Sequence, residues 1–347
     1  MSPEGNTRKT FLLGATGYIG GDALKAILDQ FPEQEPNVSV LVRDEKKGEA
    51  IKAIYPNIRI VFGSLDDTEV LVGESAQADF VFNLAHADHV SATNAIIAGL
   101  RQRSAEDKTS FYVHCSGTGI LLYDDMQTKT YGVASSKIYN DWDGVSEMTS
   151  YPDAAPHRNV DKLVLGAGED THIKTAVVCP PVIYGIGRGP VNQRSLQIPL
   201  LIENFIKRGK AFQIAEGKAY WNNVHIHDLS DLFALFFQEA LSGDKKEVWG
   251  TDSYYFAENG EAPWGDISAK TAEVMHSKGL IKDTDIEKLS PQDAAKIFPH
   301  APLVWGQNSR SSAIRGRKLL GWAPKQRSLE EELPIAVDYE VERQKSN

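Results

Sequence analysis

The sequence predicts a doubly wound α/β domain built on a parallel sheet, followed by a smaller, mostly α-helical lobe. Three observations predict it. Short, continuously apolar runs alternate with amphipathic segments through the first half of the chain. The first of these runs leads into a glycine-spaced turn that opens a helix, TFLLGATGYIGG at 10–21. Beyond residue 180 the alternation fades and helical patterning takes over. The expected division is 1–180 for the first lobe and 181–347 for the second, with some strands and helices of the second returning to the first.

The strand candidates are TFLLG (10–14), VSVLV (38–42), IRIVF (58–62), DFVFNL (79–84), SFYVHC (110–115) and IKTAVVC (173–179). Their unbroken apolar character suits strands covered on both faces. Helices are expected between them at 18–31, 44–54, 67–76, 91–104 and 157–168. Residues 117–156 hold Gly, Asp, Ser, Tyr and Pro without clear periodicity; so long a connection is either functional and lid-like or a mobile surface loop. PPVIYGIGRGPVNQ (180–193) is a Gly/Pro-rich loop, SLQIPLLIENFIKRG (195–209) an amphipathic helix, and DLSDLFALFFQEAL (228–241) a strongly apolar one, suited to a core or a dimer face. Helices at 266–278, 291–298, 311–320 and 328–343 complete a lobe in which no sheet pattern is visible.

Bulk properties exclude several classes. The 347 residues carry 37 Lys and Arg against 47 Asp and Glu, a net charge of −10, with no basic patch interleaved with aromatics. Nucleic acid is therefore not an expected partner. No apolar run reaches the roughly 18 residues of a membrane helix, so no membrane partner is expected. MSPEGNTRKT lacks the apolar stretch of a signal peptide, and a cytoplasmic location is expected. Two cysteines, Cys115 and Cys179, make no disulfide framework; they end neighbouring strand candidates and are expected in the core. His225, His227 and Asp228 are close in sequence, but no third ligand group accompanies them and no metal is expected.

In TFLLGATGYIGG, Gly14 permits the tight turn, Gly17 lets backbone approach a pyrophosphate, and Gly20 lets helix and strand pack closely. The helix N-terminus offers unpaired N–H groups and a positive dipole end to phosphates. With Thr16, Tyr18 and Ile19, these glycines form the expected dinucleotide turn of a Rossmann-type fold. The second strand ends VLVRD, where Arg43 precedes Asp44, with Lys46 and Lys47 beyond. A guanidinium suits a ribose 2′-phosphate better than a hydroxyl, so NADP is expected rather than NAD. Should Arg43 be a solvated loop charge, Asp44 would take the ribose instead.

The Gly-x-x-Gly-x-x-Gly spacing resembles that of the extended short-chain dehydrogenase/reductase family, the group of NAD-dependent epimerase/dehydratases and dihydroflavonol-reductase-like enzymes. GSLDD (63–67) resembles the loop beside the adenine, implicating Leu65 and Asp66, although Ser64 stands where the family has its first Asp. FNLAH (82–86) resembles the segment lining the cofactor, through Leu84, Ala85 and His86. HCSGTG (114–119) resembles the segment of the catalytic Ser/Thr, which falls on Ser116 with Thr118 as neighbour. CPPVIYGIG (179–187) is similar to the loop over the nicotinamide, implicating Pro180, Val182 and, on the substrate side, Tyr184. NNVHIHDLSDL (222–232) and RKLLGWAPK (317–325) resemble two further family segments. The resemblance implies an oxidoreductase or a related redox-neutral enzyme, a small-molecule substrate and a homodimer.

Two departures from the family stand out. The family's tyrosine transfers a proton, and a lysine four residues later lowers its pKa and holds the nicotinamide ribose. A free tyrosine titrates near 10, so it needs that charge. No lysine here has a tyrosine four residues before it; YGVASSK (131–137) has a wider spacing. Lys162 lies on a helix in the expected order, with His157 and Arg158 where the tyrosine would be. Lys162 is thus expected on the ribose, and the proton donor is His157, a tyrosine of the long connection (Tyr131, Tyr139 or Tyr151), or water. The second departure is Trp221, where sugar-nucleotide members carry an arginine; an aromatic wall suits a smaller or less charged carbonyl compound. Arg188 and Arg194 either bind an acidic substrate group or are surface charges. The favoured expectation is an NADP(H)-dependent oxidoreductase of a small carbonyl/alcohol pair. An epimerase, dehydratase or cyclase-like enzyme and a non-catalytic NADP-sensing regulator are the alternatives.

Overall fold

The computed structural model describes residues 7–243 and 245–345. Its strands are β1 (Thr10–Leu13), β2 (Val38–Val42), β3 (Arg59–Phe62), β4 (Phe80–Asn83), β5 (Ser110–Cys115), β6 (Tyr139–Asn140), β7 (Ile173–Cys179), β8 (Val182–Tyr184), β9 (Ala211–Ile214), β10 (Tyr220–His225), β11 (Tyr254–Phe256), β12 (Glu261–Pro263), β13 (Ile286–Leu289) and β14 (Ser311–Ser312). Seven of them form one sheet in the order β11-β7-β5-β4-β1-β2-β3, every neighbouring pair parallel. β1, β2 and β4 are buried along their whole length, which is why they appear as unbroken apolar runs. The order reverses at β1, and a crevice opens there at the carboxyl ends of the strands, where ligands bind in such sheets.

The helices of the first lobe are α1 (Tyr18–Gln30), α2 (Glu45–Ile54), α3 (Thr68–Gln77), α4 (Val90–Ser104), α5 (Tyr123–Thr128), α6 (Val145–Thr149) and α7 (Arg158–Ala167); α8 (Gln197–Arg208), α9 (Ile226–Ser242) and α10 (Trp264–Ser277) follow. α1 packs on α9, while α4 packs on α3 and α7. Phe233, Phe236 and Phe237 of α9 are completely buried against Phe80, Phe82 and Trp249, so this helix belongs to the core.

The second lobe does contain sheet, contrary to the expectation from sequence. β12-β10-β8 form a three-stranded sheet, β13 pairs with β9, and β14 with β6. These strands are too short, or too fully buried, to show a period of two. They surround a second core that includes Trp221, Trp264, Phe205, Phe212 and Trp305. β11, also unread from the sequence, returns to the edge of the main sheet.

The connection 117–156 is tied down rather than mobile. Asp141, fully buried, accepts the backbone N–H groups of Ile314 (2.7 Å), Arg315 (3.0 Å) and Phe256 (2.9 Å). One carboxylate thereby joins the connection to β11 and to the chain after β14. No helix among the described residues is long and apolar enough to cross a membrane.

Candidate active site

The crevice begins at the glycine turn. Gly14 has φ +99°, and a Cβ there would lie 2.6 Å from the Leu84 backbone, so β1 and the end of β4 approach too closely for any side chain. A Cβ on Gly20 would overlap the Gly14 carbonyl, which lets α1 start directly against the turn. Gly17 caps α1 without a side-chain acceptor, and the first turn holds no acidic residue. The open N–H groups and the positive dipole end remain available to an anion.

Two cavities adjoin along this turn. One, of about 560 Å³, is bounded by Gly14, Thr16, Arg43, Lys47, Leu65 and His86 among others. The next, of about 500 Å³, is bounded by Tyr18, Ile19, Ser116, Pro180, Ile183 and Leu196 among others. Gly17, Leu84, Ala85 and Asn192 line both. At the first end, Asp44 is occupied as the cap of α2, accepting the Lys47 N–H at 3.0 Å. The exposed side chains of Arg43 and Lys47 have no carboxylate partner among the described residues. Lys47 completes a pair that the sequence showed only as a charged run. Asp66 turns from the cavity toward His89, 3.3 Å away.

Val182 is completely buried in the second core, and its neighbours Pro181 and Ile183 face the cavity instead. Alternation along β8 decides this. The expected substrate contacts are displaced in the same way. Trp221 is buried on β10, donates Nε1–H to Gln307 O at 2.6 Å and packs on Trp264. Tyr184 is buried and donates to Arg327 O at 2.9 Å. The buried Thr118 hydroxyl shares a 2.8 Å hydrogen bond with Ser309. Arg188 is held by Asp22, buried on α1, through Nη2–H at 2.6 Å, Nε–H at 3.1 Å and its own backbone N–H at 2.7 Å. These four residues are consumed by structure, and none lines the cavity that Ser116 faces.

The third region is the junction of β5 and α7. Ser116 Oγ is buried and has no hydrogen-bond partner among the described residues. His157 precedes α7 in the left-handed region, with φ +67°. Its Nδ1–H donates to Asp88 Oδ1 at 2.7 Å. Its Nε2 lies over Gly117 and Gly119, where an added Cβ would sit 3.2 and 2.6 Å away. Burial opposes protonation of this imidazole, but the hydrogen bond and charge of Asp88 outweigh it and raise its pKa. His114, behind it, is the opposite case: burial lowers it to about 4, and it stays neutral.

Lys162 does not turn toward Ser116. It is exposed and pairs with Asp153, whereas Asp161, one residue earlier, is fully buried beside Ser116. One residue is 100° of helix, enough to exchange the inward and outward faces. The inward pair at tyrosine–lysine spacing is therefore His157 and Asp161; counting four residues on from His157, rather than looking for a lysine, would have found it. Lys162→Ala should leave dinucleotide affinity unchanged and alter stability by no more than about 1 kcal/mol, as for exposed ion pairs; titration and melting of the variant check this.

The tyrosines of the connection are also engaged. The Tyr139 and Tyr151 hydroxyls lie 2.6 Å apart and each 3.1 Å from Asp124 Oδ2, so that one donates to the other and their remaining proton goes to the carboxylate. Tyr131 packs on the second core. Cys115 and Cys179 are buried free thiols. His225 Nδ1 accepts the His227 N–H at 3.1 Å as the cap of α9, and no group of three or more His, Cys, Asp or Glu among the described residues is placed to hold a metal.

A parallel sheet reversing at a glycine turn, a serine at the end of β5 and a helix crossing behind it define a dinucleotide-dependent enzyme class. The chain belongs to the NAD-dependent epimerase/dehydratase family, whose model matches residues 10–250. It is 38% identical to Oxidase ucsJ of Acremonium sp over 346 residues, covering 97% of this chain and 99% of that protein. An uncharacterized protein of Saccharomyces cerevisiae, YLL056C, is 23% identical over 334 residues, 94% of this chain and 97% of its own. Among solved structures, the dTDP-glucose 4,6-dehydratase DesIV of Streptomyces venezuelae, with NAD bound, superposes with a TM-score of 0.67 at 17% identity, covering 97% of this chain and 98% of that one. A UDP-glucose 4-epimerase of Thermotoga maritima gives 0.63 at 14% identity, over 97% and 99%. These structures share the fold.

Proposed function

We propose that this protein is an NADP(H)-dependent oxidoreductase acting on a small, uncharged carbonyl/alcohol pair. The observation that carries the proposal is the separation of charge along the crevice. At one end Arg43 and Lys47 are free to meet a 2′-phosphate. At the other, Arg194 is the lining cation, and its guanidinium is already engaged by Glu340 and Glu203 at 2.7 and 2.8 Å. With Arg188 bound to Asp22, no cation lining the substrate cavity among the described residues is without a carboxylate partner, which leaves none free to grip a pyrophosphate. The name of the Acremonium relative, an oxidase, agrees with redox chemistry.

The glycine turn, the uncapped α1 and the two adjoining cavities fit a nicotinamide dinucleotide: a Cβ on Gly14 would fill the cradle, and the Ser116 hydroxyl is left unpaired beside it. When bound, the nicotinamide supplies or takes up the hydride. The protein orients the substrate oxygen with Ser116 and covers the crevice with Val191 and Asn192 of the loop that Arg188 fastens to α1.

Arg43→Ala should weaken NADPH binding by about 10- to 100-fold, the loss of one charge-assisted contact, and leave NADH binding nearly unchanged. Fluorescence titration with both cofactors checks this; equal losses would defeat the 2′-phosphate assignment. An aldehyde, ketone and alcohol panel followed at the NADPH absorbance tests the reaction. The family's dehydratases and epimerases, and the loop fastened over the crevice, favour a second reading in which a retained cofactor serves redox-neutral chemistry. Tight cofactor binding without net turnover would support it, or a sensing role.

A further inference from the structure

Asp161 is completely buried, yet its Oδ1 has no hydrogen-bond partner among the described residues. Its Oδ2 accepts the Tyr254 hydroxyl at 2.9 Å. The Ser116 hydroxyl lies beside the carboxyl, close enough to influence its titration but outside hydrogen-bonding geometry. Ser116 also borders the substrate cavity. A buried carboxyl oxygen and a buried hydroxyl, adjacent and both unpaired, are costly unless a further group completes them. Nothing in helix packing requires an acid at this point of α7, whose neighbours Val160, Val164 and Leu165 are apolar and buried.

We propose that Ser116 and Asp161 form a two-member proton relay, in which Asp161 exchanges the substrate hydroxyl proton through Ser116 Oγ. The proposal rests on the redox reading above. In oxidation, the alcohol O–H bond breaks and its proton passes to Ser116 Oγ, while the original Ser116 proton passes to the Asp161 carboxylate. The electron pair of the alcohol C–H bond leaves with its hydrogen to the oxidised nicotinamide dinucleotide, and the C=O bond forms. After the carbonyl product departs, Asp161 returns its proton through Ser116 to water in the cavity. Reduction runs the same transfers backward. Asp161 thereby sets the polarity of Ser116: as an acid it makes the hydroxyl a donor to a carbonyl, and as a carboxylate it makes the hydroxyl an acceptor for an alcohol.

The ionisable groups facing Asp161 are Cys115 on β5, Cys179 on β7, Tyr254 on β11, His157 just before α7 and Arg158 at its start. Burial raises both thiols, Cys115 to about 12, and raises the Tyr254 phenol well above its ordinary range. These three stay neutral where the enzyme would work. Burial also raises Asp161, to about 6, against the opposing pull of Ser116, His157 and Tyr254. An acid in that range passes a proton in either direction near neutral pH. The sign follows: the carboxylate needed for oxidation is present above that pH, and the acid needed for reduction below it.

The test uses the full chain with ¹³C-labelled aspartate carboxyls, titrated by NMR, alongside Asp161→Asn and Ser116→Ala. One resonance should titrate near the value above, vanish in the Asn variant, and move to higher pH in the Ala variant because Ser116 stabilises the carboxylate. No such resonance, or one unmoved by Ser116→Ala, overturns the relay. On an alcohol panel with NADP⁺, kcat of the wild type should rise with pH through that midpoint. Asp161→Asn should lower kcat about 100-fold or more and abolish the rise, with the KM for NADP⁺ unchanged. An unchanged pH profile overturns the proposal. Tyr254→Phe, which keeps the ring, should shift both the resonance and the kinetic limb upward, which a purely structural Asp161 would not do. If the wild type binds NADPH but oxidises no alcohol, the redox reading fails, and the titration alone decides whether Ser116 and Asp161 share a proton.

Discussion

Arg188→Ala should lower folding stability by about 3–5 kcal/mol, the cost of leaving a buried charge without its partner. Asp22 is fully buried on α1, and three of the hydrogen bonds it accepts come from Arg188. Burial pushes the Asp22 pKa up, but the Arg188 hydrogen bonds and charge outweigh it and hold the carboxyl below its ordinary value. A carboxyl lowered in this way contributes stability above its unfolded pKa and loses it as pH falls through the folded one. In the variant the backbone N–H of residue 188 still favours the carboxylate, but the guanidinium's hydrogen bonds and charge are gone and burial raises the Asp22 pKa against less opposition. The deficit should therefore be full at neutral pH and shrink in acid, as Asp22 takes up a proton. Denaturant unfolding of both proteins at neutral and acid pH measures it. Cofactor affinity should fall as well, because the same ion pair fastens the loop carrying Val191 and Asn192 over the crevice. A loss confined to substrate KM, with stability intact, would return Arg188 to the substrate site.

Gly14→Ala should be at least as damaging to cofactor binding. Its φ of +99° lies outside the conformations that L side chains adopt readily, and the new methyl would meet the Leu84 carbonyl carbon and oxygen at 2.6 Å. Backbone strain and overpacking each cost about 1–3 kcal/mol. β1 and β4 would have to separate at the floor of the crevice, so NADPH affinity should fall about 100-fold or more, accompanied by a lower melting temperature. Gly166→Ala, where an added Cβ meets nothing within 4 Å, is the matched control and should leave binding intact.

The crevice along the glycine turn was legible in the sequence because it is made largely from backbone and from local order. A buried strand, a turn that only glycine permits and a helix start are consecutive in the chain, and the sequence carries them as TFLLGATGYIGG. Thr16, Tyr18, Ile19, Arg43, Leu65, Leu84, Ala85, His86 and Pro180 were each identified from such local context. The structure sets all but Pro180 along the two cavities within segments that follow β1, β2, β3 and β4, and Pro180 where β7 ends. Asp44 shows the limit of that reasoning: the sequence left it open to take the ribose, and only the fold shows its Oδ1 engaged as the cap of α2.

The substrate side was not legible, because there each side chain's role depends on partners far away in the chain. Arg188 meets Asp22 across 166 residues, Tyr184 meets Arg327 across 143, and Thr118 meets Ser309 across 191. No local pattern announces such pairings, so residues expected at the substrate by position are engaged elsewhere, Arg188 and Thr118 between the two lobes and Tyr184 within the second. The strands of the second lobe were hidden for a related reason, since segments of two to six residues inside a core show no period. The exchange of Lys162 for Asp161 is the sharpest case. The sequence by itself determined the sheet, the glycine turn, the serine after β5 and a polar helix behind it. Which side of that helix faces Ser116 was decided by tertiary packing, because a single residue turns the helix by 100° and the burial of Val160, Val164 and Leu165 helps fix its rotation.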